Sequence, residues 1–161
     1  MKLSTLNDLY VEELRDLYSV ENQIIKALPD MVKAATAPEL RSGFEAHLRQ
    51  SQEHVSRLDQ IFNKLGKSPR GKHCKGMEGI LAEGKELLKA DAEPEALDAG
   101  LITAAQHVEH YEIAGYGTVR TYAKLLGENE AMKLLQQTLD EEEQTDQKLT
   151  QLSTKINVEA L

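Results

Sequence analysis

The residues with the most chemical content are acidic side chains set into helical stripes that are otherwise apolar. Within His107–Val119 and its flanks, Leu101, Ala105, Val108, Val119 and Leu126 share one side of a helix. At ~100° per residue Glu112 lies ~30° from the centre of that side, and Glu109 sits one turn earlier at its edge. Glu21 lies ~20° from the centre of a stripe made by Tyr10, Leu14, Leu17, Ile25, Leu28 and Val32. Further along, Glu142 is ~25° from the centre of the stripe of Leu135, Leu139 and Leu149, and Asp146 ~65°, so that these two side chains can meet on one face. A carboxylate buried without a partner costs several kcal/mol or takes up a proton, so such positions imply a cation, a hydrogen-bond network or a cavity.

A carboxylate-bridged pair of metal ions in a helical bundle takes a Glu from each of two helices and a Glu-plus-His pair, three or four residues apart, from each of the other two. The inward polar residues of the second helix are His47, Ser51 and His54, with Gln50 nearly at right angles to the stripe. The candidate ligands are therefore Glu21, His54, Glu109, Glu112, Glu142 and Asp146, and no catalytic residue is assigned. Histidine is missing from the last helix and a well-placed carboxylate from the second. A structural reading stands beside this one: Glu21 and Glu112 can accept hydrogen bonds from Tyr18, Tyr111, Tyr116 or the histidines and so hold bundle register. His47 reads first as a satisfied core histidine, and His107 and His110 as surface residues. Gly115 and Gly117 flank Glu112 and leave room there for an ion or a small oxidant.

The elements that carry these residues repeat. Sliding the chain by ninety-one residues aligns Glu21 with Glu112, Glu39 with Glu130, Leu48 with Leu139, Leu58 with Leu149 and Gln60 with Gln151, without a gap. The hydrophobic pattern predicts long helices near 4–35, 38–65, 95–126 and 128–155, the first capped by Ser4 or Asn7, with breaks at Ala37-Pro38, Gly66 and Gly127. Between the second and third, a crossover of about 66–94 holds a short amphipathic helix, about Met77 to Lys89. Two antiparallel hairpins joined by one long connection is the ferritin-like form of the four-helix bundle, here one domain spanning 1–161.

Composition narrows the function. Nineteen basic against 27 acidic residues give a net charge of −8, which argues against nucleic-acid binding. The basic stretch Lys64 to Lys75 reads as a solvated loop after a helix C-terminus. No run of apolar residues is long enough for a membrane span or signal peptide, so a cytoplasmic location is expected. With Cys74 alone there is no internal disulfide.

The chain resembles the YciF/YciE-type bacterial stress proteins, a branch of the ferritin-like superfamily. The resemblance rests on Leu17-Tyr18-Ser19-Val20-Glu21-Asn22-Gln23, on His47-Leu48 with Ser51, and on Cys74 with Met77-Glu78-Gly79. It is extended by Ala104 to Ala114, which contains His107-Val108-Glu109-His110-Tyr111-Glu112, and by Glu141-Glu142-Glu143 with Asp146. It implies a ferritin-like fold, a role in osmotic, oxidative or bile-type stress, a homodimer and a dinuclear metal site, but no established reaction; the inward Glu21, Glu112 and Glu142 are what point to iron or manganese there handling peroxide or oxygen. In place of the Glu-Thr pair of such proteins this chain has Gln50-Ser51, and a neutral amide at a ligand position weakens iron binding. The alternative is a non-catalytic stress-response interaction protein whose bundle keeps a degenerate or empty metal site.

Overall fold

The computed structural model describes residues 3–161. Five helices follow one another: α1 (Leu6–Ala34), α2 (Pro38–Leu65), α3 (Lys75–Leu87), α4 (Pro94–Leu125) and α5 (Asn129–Glu159). α1 pairs with α2, and α4 with α5, across turns of three residues, 35–37 and 126–128, which leaves each pair antiparallel. α1 then packs on α4 and α2 on α5, while α3 lies against α4 and α1. The internal repeat is visible in the helix ends, since Ala34 and Leu125 both close a helix and Pro38 and Asn129 both open one, each pair ninety-one residues apart.

Local chemistry sets the boundaries, and in places moves them from the expected ones. The first helix starts at Leu6 because Thr5, rather than Ser4 or Asn7, is its cap: Thr5 Oγ1 accepts from Asp8 N at 3.1 Å, and Asp8 Oδ2 accepts from Thr5 N at 3.0 Å. Pro38 and Pro94 each occupy a first helical position, where a missing N–H costs nothing. Gly66 (φ 62°) and Gly127 (φ 76°) reverse the chain in the left-handed region. The short crossover helix begins two residues before the expected Met77, with the Cys74 thiol accepting from Met77 N at 3.5 Å. α5 runs four residues past the expected end.

Apolar packing divides into two bodies. One, around Ile24, Leu28, Leu40, Phe44, Met77, Leu101, Ile102 and Leu149, fills the end of the bundle that α3 covers. The other, around Tyr10, Leu14, Leu58, Phe62, Tyr116, Val119, Leu135 and Leu139, fills the opposite end. Between them lies a polar layer. Gly115 serves the packing rather than the layer: a Cβ there would stand 2.7 Å from Leu17 Cδ2, so the missing side chain lets α1 and α4 approach. A Cβ on Gly117 would meet nothing within 4 Å. At Gly115 the space the missing side chain leaves is taken by Leu17, not left for an ion.

One buried carboxylate has a purely structural task. Asp98, 2% exposed near the start of α4, accepts from Thr36 N at 2.8 Å, Ala37 N at 2.7 Å and Thr36 Oγ1 at 2.6 Å. It thereby caps the α1–α2 turn from the other hairpin. Replacing Asp98 by Ala should lower the unfolding free energy by about 1–2 kcal/mol, because it removes the acceptor of two part-buried backbone donors in the turn, while leaving metal content unchanged. Denaturant titration with parallel elemental analysis checks both parts.

Candidate metal centre

Six side chains from all four long helices converge between the two apolar bodies. His47, Glu109, Glu112 and Glu142 each offer one ligand atom within 4.8 Å of the others, and so do Glu21, His54 and Glu142. Glu142 belongs to both groups, the position of a bridging carboxylate. All six are at most 3% exposed. His47 Nδ1 lies 3.1 Å from Glu109 Oε1, and its Nε2 is 3.8 Å from Glu112 Oε2. His54 Nδ1 faces Glu21 Oε1 at 3.1 Å and Glu142 Oε1 at 3.0 Å. A single N–H cannot serve both oxygens well.

The outward edge of His54 is held differently. Its Nε2 is 2.9 Å from Glu141 Oε2, and Glu141 in turn accepts two bonds from Arg57, at 2.7 and 2.9 Å. This fixes the ring so that Nδ1 points inward, the arrangement by which a carboxylate behind a histidine orients it toward a metal. Tyr116, fully buried, donates its hydroxyl to Glu21 Oε1 at 2.5 Å and stands edge-on to the His54 ring.

Beyond these contacts the layer is short of donors. Glu109 Oε1 and Glu142 Oε1 have only the imidazole approaches already given, and Glu21 Oε2, Glu109 Oε2, both oxygens of Glu112, Glu142 Oε2, His47 Nε2 and Ser51 Oγ find no hydrogen-bond partner among the described residues. The same interior satisfies Asp98 with three donors. Glu21 does accept from Tyr116, as a register-holding carboxylate would, whereas the oxygens of Glu109, Glu112 and Glu142 converge on one another and form a group that could hold a metal ion. Such a donor set, carboxylate oxygens with two imidazoles, suits iron or manganese.

Protons take up the charge when no cation is bound. Burial and the neighbouring Glu142 push Glu109 and Glu112 well above the usual carboxylate range. Burial would lower His54, but hydrogen bonds to Glu142 and Glu21 outweigh it and raise the imidazole to about 11. Glu142 is lowered: burial works against its charge, and the hydrogen bond and charge of His54 prevail. His47 is lowered by burial in spite of the attraction of Glu142 and Glu21. The metal-free layer therefore holds a charged His54, an ionised Glu142 and neutral carboxyls at 109 and 112.

The structure brings together Glu21, His54, Glu109, Glu112 and Glu142 of the expected ligands and leaves Asp146 outside. Asp146 Oδ1 accepts from Gln106 Nε2 at 3.1 Å and lies 3.3 Å from His110 Nε2, on the outer side of α4. His47, read from sequence as a core histidine, is part of the layer instead. The signal for it was present, since His47, Ser51 and His54 fall at intervals of four and three on one face. Gln50 is not in the layer; its Oε1 accepts from Thr145 Oγ1 at 3.4 Å. The ninety-one-residue offset explains the pattern. It pairs Ser51-x-x-His54 with Glu142-x-x-Thr145, so each hairpin keeps one half of a Glu-x-x-His motif, and His47 and Glu109 bring a further imidazole and carboxylate to the layer.

Comparison with known proteins agrees with this architecture. The family model described as domain of unknown function DUF892 matches residues 5–161. Protein YciF of Escherichia coli K12 is 42% identical over 155 residues, 95% of this chain and 93% of the relative. The crystal structure of the E. coli stress protein YciF superimposes with a TM-score of 0.93 at 39% identity, over 96% of this chain and 98% of that one. A ferritin-like, diiron-carboxylate protein from Bacillus anthracis gives a TM-score of 0.73 at 18% identity, over 94% of this chain and 99% of that one, and at that distance shows the ferritin-like fold.

The protonation pattern sets a pH dependence. Raised folded-state values for Glu109, Glu112 and His54 mean that the folded chain holds protons the unfolded chain has released, so their contribution is lost as pH rises. Glu142 acts in the opposite sense, its contribution being lost only as pH falls below the ordinary carboxylate range, and His47, lowered by burial, also opposes the trend below its ordinary value but is one group against three. Chelator-treated protein should therefore lose stability steadily from about pH 5 to about pH 9, followed by thermal melts. A flat or rising curve would contradict the protonation pattern.

Proposed function

Because the chain belongs to the DUF892 family, with a YciF-like ferritin-like fold, we propose that its buried layer is a dinuclear iron or manganese centre. The protein works there on dioxygen or peroxide during stress, as a cytoplasmic homodimer. The observation that supports this most strongly is the set of converging carboxylate oxygens left without donors around Glu142. Four ionised carboxylates would offset the charge of two divalent ions, one held by His47, Glu109, Glu112 and Glu142 and the other by Glu21, His54 and Glu142. The ions would supply the electrons for reaction with a small oxidant. The chain supplies the rest. Glu142 spans the two groups, Glu141 and Arg57 hold His54 with Nδ1 inward, Tyr116 fixes one oxygen of Glu21, and the apolar bodies on either side exclude bulk water. Loading displaces the proton of His54 and those of Glu109 and Glu112, so uptake is accompanied by proton release and weakens in acid.

A second reading draws on Ser51 and Thr145, which stand where a Glu-x-x-His bundle would have a carboxylate and an imidazole. It makes the protein a non-catalytic interaction module of the stress response whose layer stays protonated. One comparison separates the two. With iron or manganese added, wild-type protein should take up two equivalents and melt at a higher temperature, by several degrees for ~2–3 kcal/mol of linkage. Glu112→Gln and Glu142→Gln should lose that response, and Glu112→Gln should melt no lower than wild type in chelator, since it removes one of the crowded acids. A metal-free wild type after reconstitution would favour the interaction module.

A further inference from the structure

The two hairpins are related by the ninety-one-residue offset, yet the flanks of the buried layer are built differently on the two sides. On one side, a cleft of about 50 Å³ opens between α2 and α5. Gly43, Ala46, His47 and Gln50 line it from α2, and Thr145 and Lys148 from α5. The offset places Leu134, Gln137, Thr138 and Glu141 at the equivalent α5 positions, with His54 and Arg57 opposite them on α2. There the passage is closed. Leu134 and Gln137 replace a glycine and an alanine, Arg57 bonds Glu141 at 2.7 and 2.9 Å and Thr138 at 3.0 Å, and Gln137 Nε2 reaches Glu141 at 3.3 Å. On the open side the matching pair is Lys148 and Gln50, and Gln50 has only the 3.4 Å contact with Thr145.

Three properties of the cleft define what would use it. It ends on His47, whose ring is 3% exposed and whose Nε2 has no partner, so it leads to the layer and not merely into apolar packing. Its lining has one cation and no carboxylate, and Phe44, Leu149 and Leu152 complete it, which suits an uncharged guest and repels a divalent ion. Its volume of about 50 Å³ exceeds the ~10–15 Å³ that one water needs, while leaving no room for an organic substrate.

We propose that the α2–α5 cleft is the entry and holding site for an uncharged diatomic of the size of dioxygen, delivering it to the His47 end of the layer. The delivery rests on the metal-centre reading above; the binding in the cleft does not. Xenon is the probe for the second. Crystals of metal-free protein pressurised with xenon should show the atom between α2 and α5 against Phe44 and Leu149. Gly43→Leu should remove it, a substitution the helix accepts because a Cβ at position 43 meets nothing within 4 Å. An empty wild-type cleft under xenon overturns the proposal whatever the metal content.

Delivery is read on ferrous-loaded protein with nitric oxide, by the growth of its paramagnetic signal. Gly43→Leu should slow binding by roughly tenfold or more at unchanged iron content. The double variant Gln50→Glu/Lys148→Arg, which copies the Glu141–Arg57 pair onto the open side, should do the same, and Gly117→Leu should match wild type. Unchanged rates in both cleft variants overturn the proposal. Failure of the wild type to take up iron refutes the metal-centre reading and leaves the xenon result to decide the cleft.

Discussion

Four carboxylates enclosed in one helical interior must be neutralised by something, and the fold is arranged around that requirement. Each comes from a long helix whose neighbouring side chains are apolar, so no rotation of one helix takes its carboxylate to solvent without exposing the apolar stripe that carries it. The apolar bodies at the two ends hold the helices in register, and the layer between them inherits its geometry from that packing. Without a cation the burden falls on protons. His54 carries one between Glu21 and Glu142, and Glu109 and Glu112 stay neutral. The proton on His54 Nδ1, facing Glu21 and Glu142, thus supplies positive charge where a bound cation would.

The orientation of His54 depends on groups outside the layer. Were Glu141 absent, the ring could turn its other edge inward, and Arg57 keeps Glu141 ionised in spite of its partial burial. A neutral residue at this position, as Gln50 is at the offset-related one, binds only a hydroxyl at 3.4 Å. Divergence of the two repeats has therefore done more than exchange ligands. It has produced one tightly braced flank and one loosely closed flank around a single centre.

Much of the architecture could be read from the amino acids. Apolar periodicity located all five helices, because Pro38, Gly66, Pro94 and Gly127 punctuate the pattern and the stripes are long. The same periodicity turned Glu21, Glu112 and Glu142 inward. It could not say which of several inward or marginal groups meet, since that depends on helix rotation and crossing angle. Hence Asp146, four residues after Glu142, looked like its companion but turns toward Gln106 and His110. Hence, too, His47 passed as a core residue, although Glu109 from the facing helix approaches it to 3.1 Å. Aligning Ser51 with Glu142 and His54 with Thr145 at the same offset shows the halved motif from the amino acids alone.

The apolar bodies on either side of the layer have a kinetic consequence. Leu40, Phe44 and Met77 fill one end and Leu14, Phe62 and Leu135 the other, so apolar packing separates the carboxylates from both ends of the bundle, and the lateral cleft carries a lysine. A divalent ion held there would arrive or leave only when the helices part, and its residence time would follow the breathing of the bundle rather than the strength of its coordination bonds. The ion found in the folded protein would thus record which metal was abundant when the chain folded. The abundance prevailing afterwards would leave little trace.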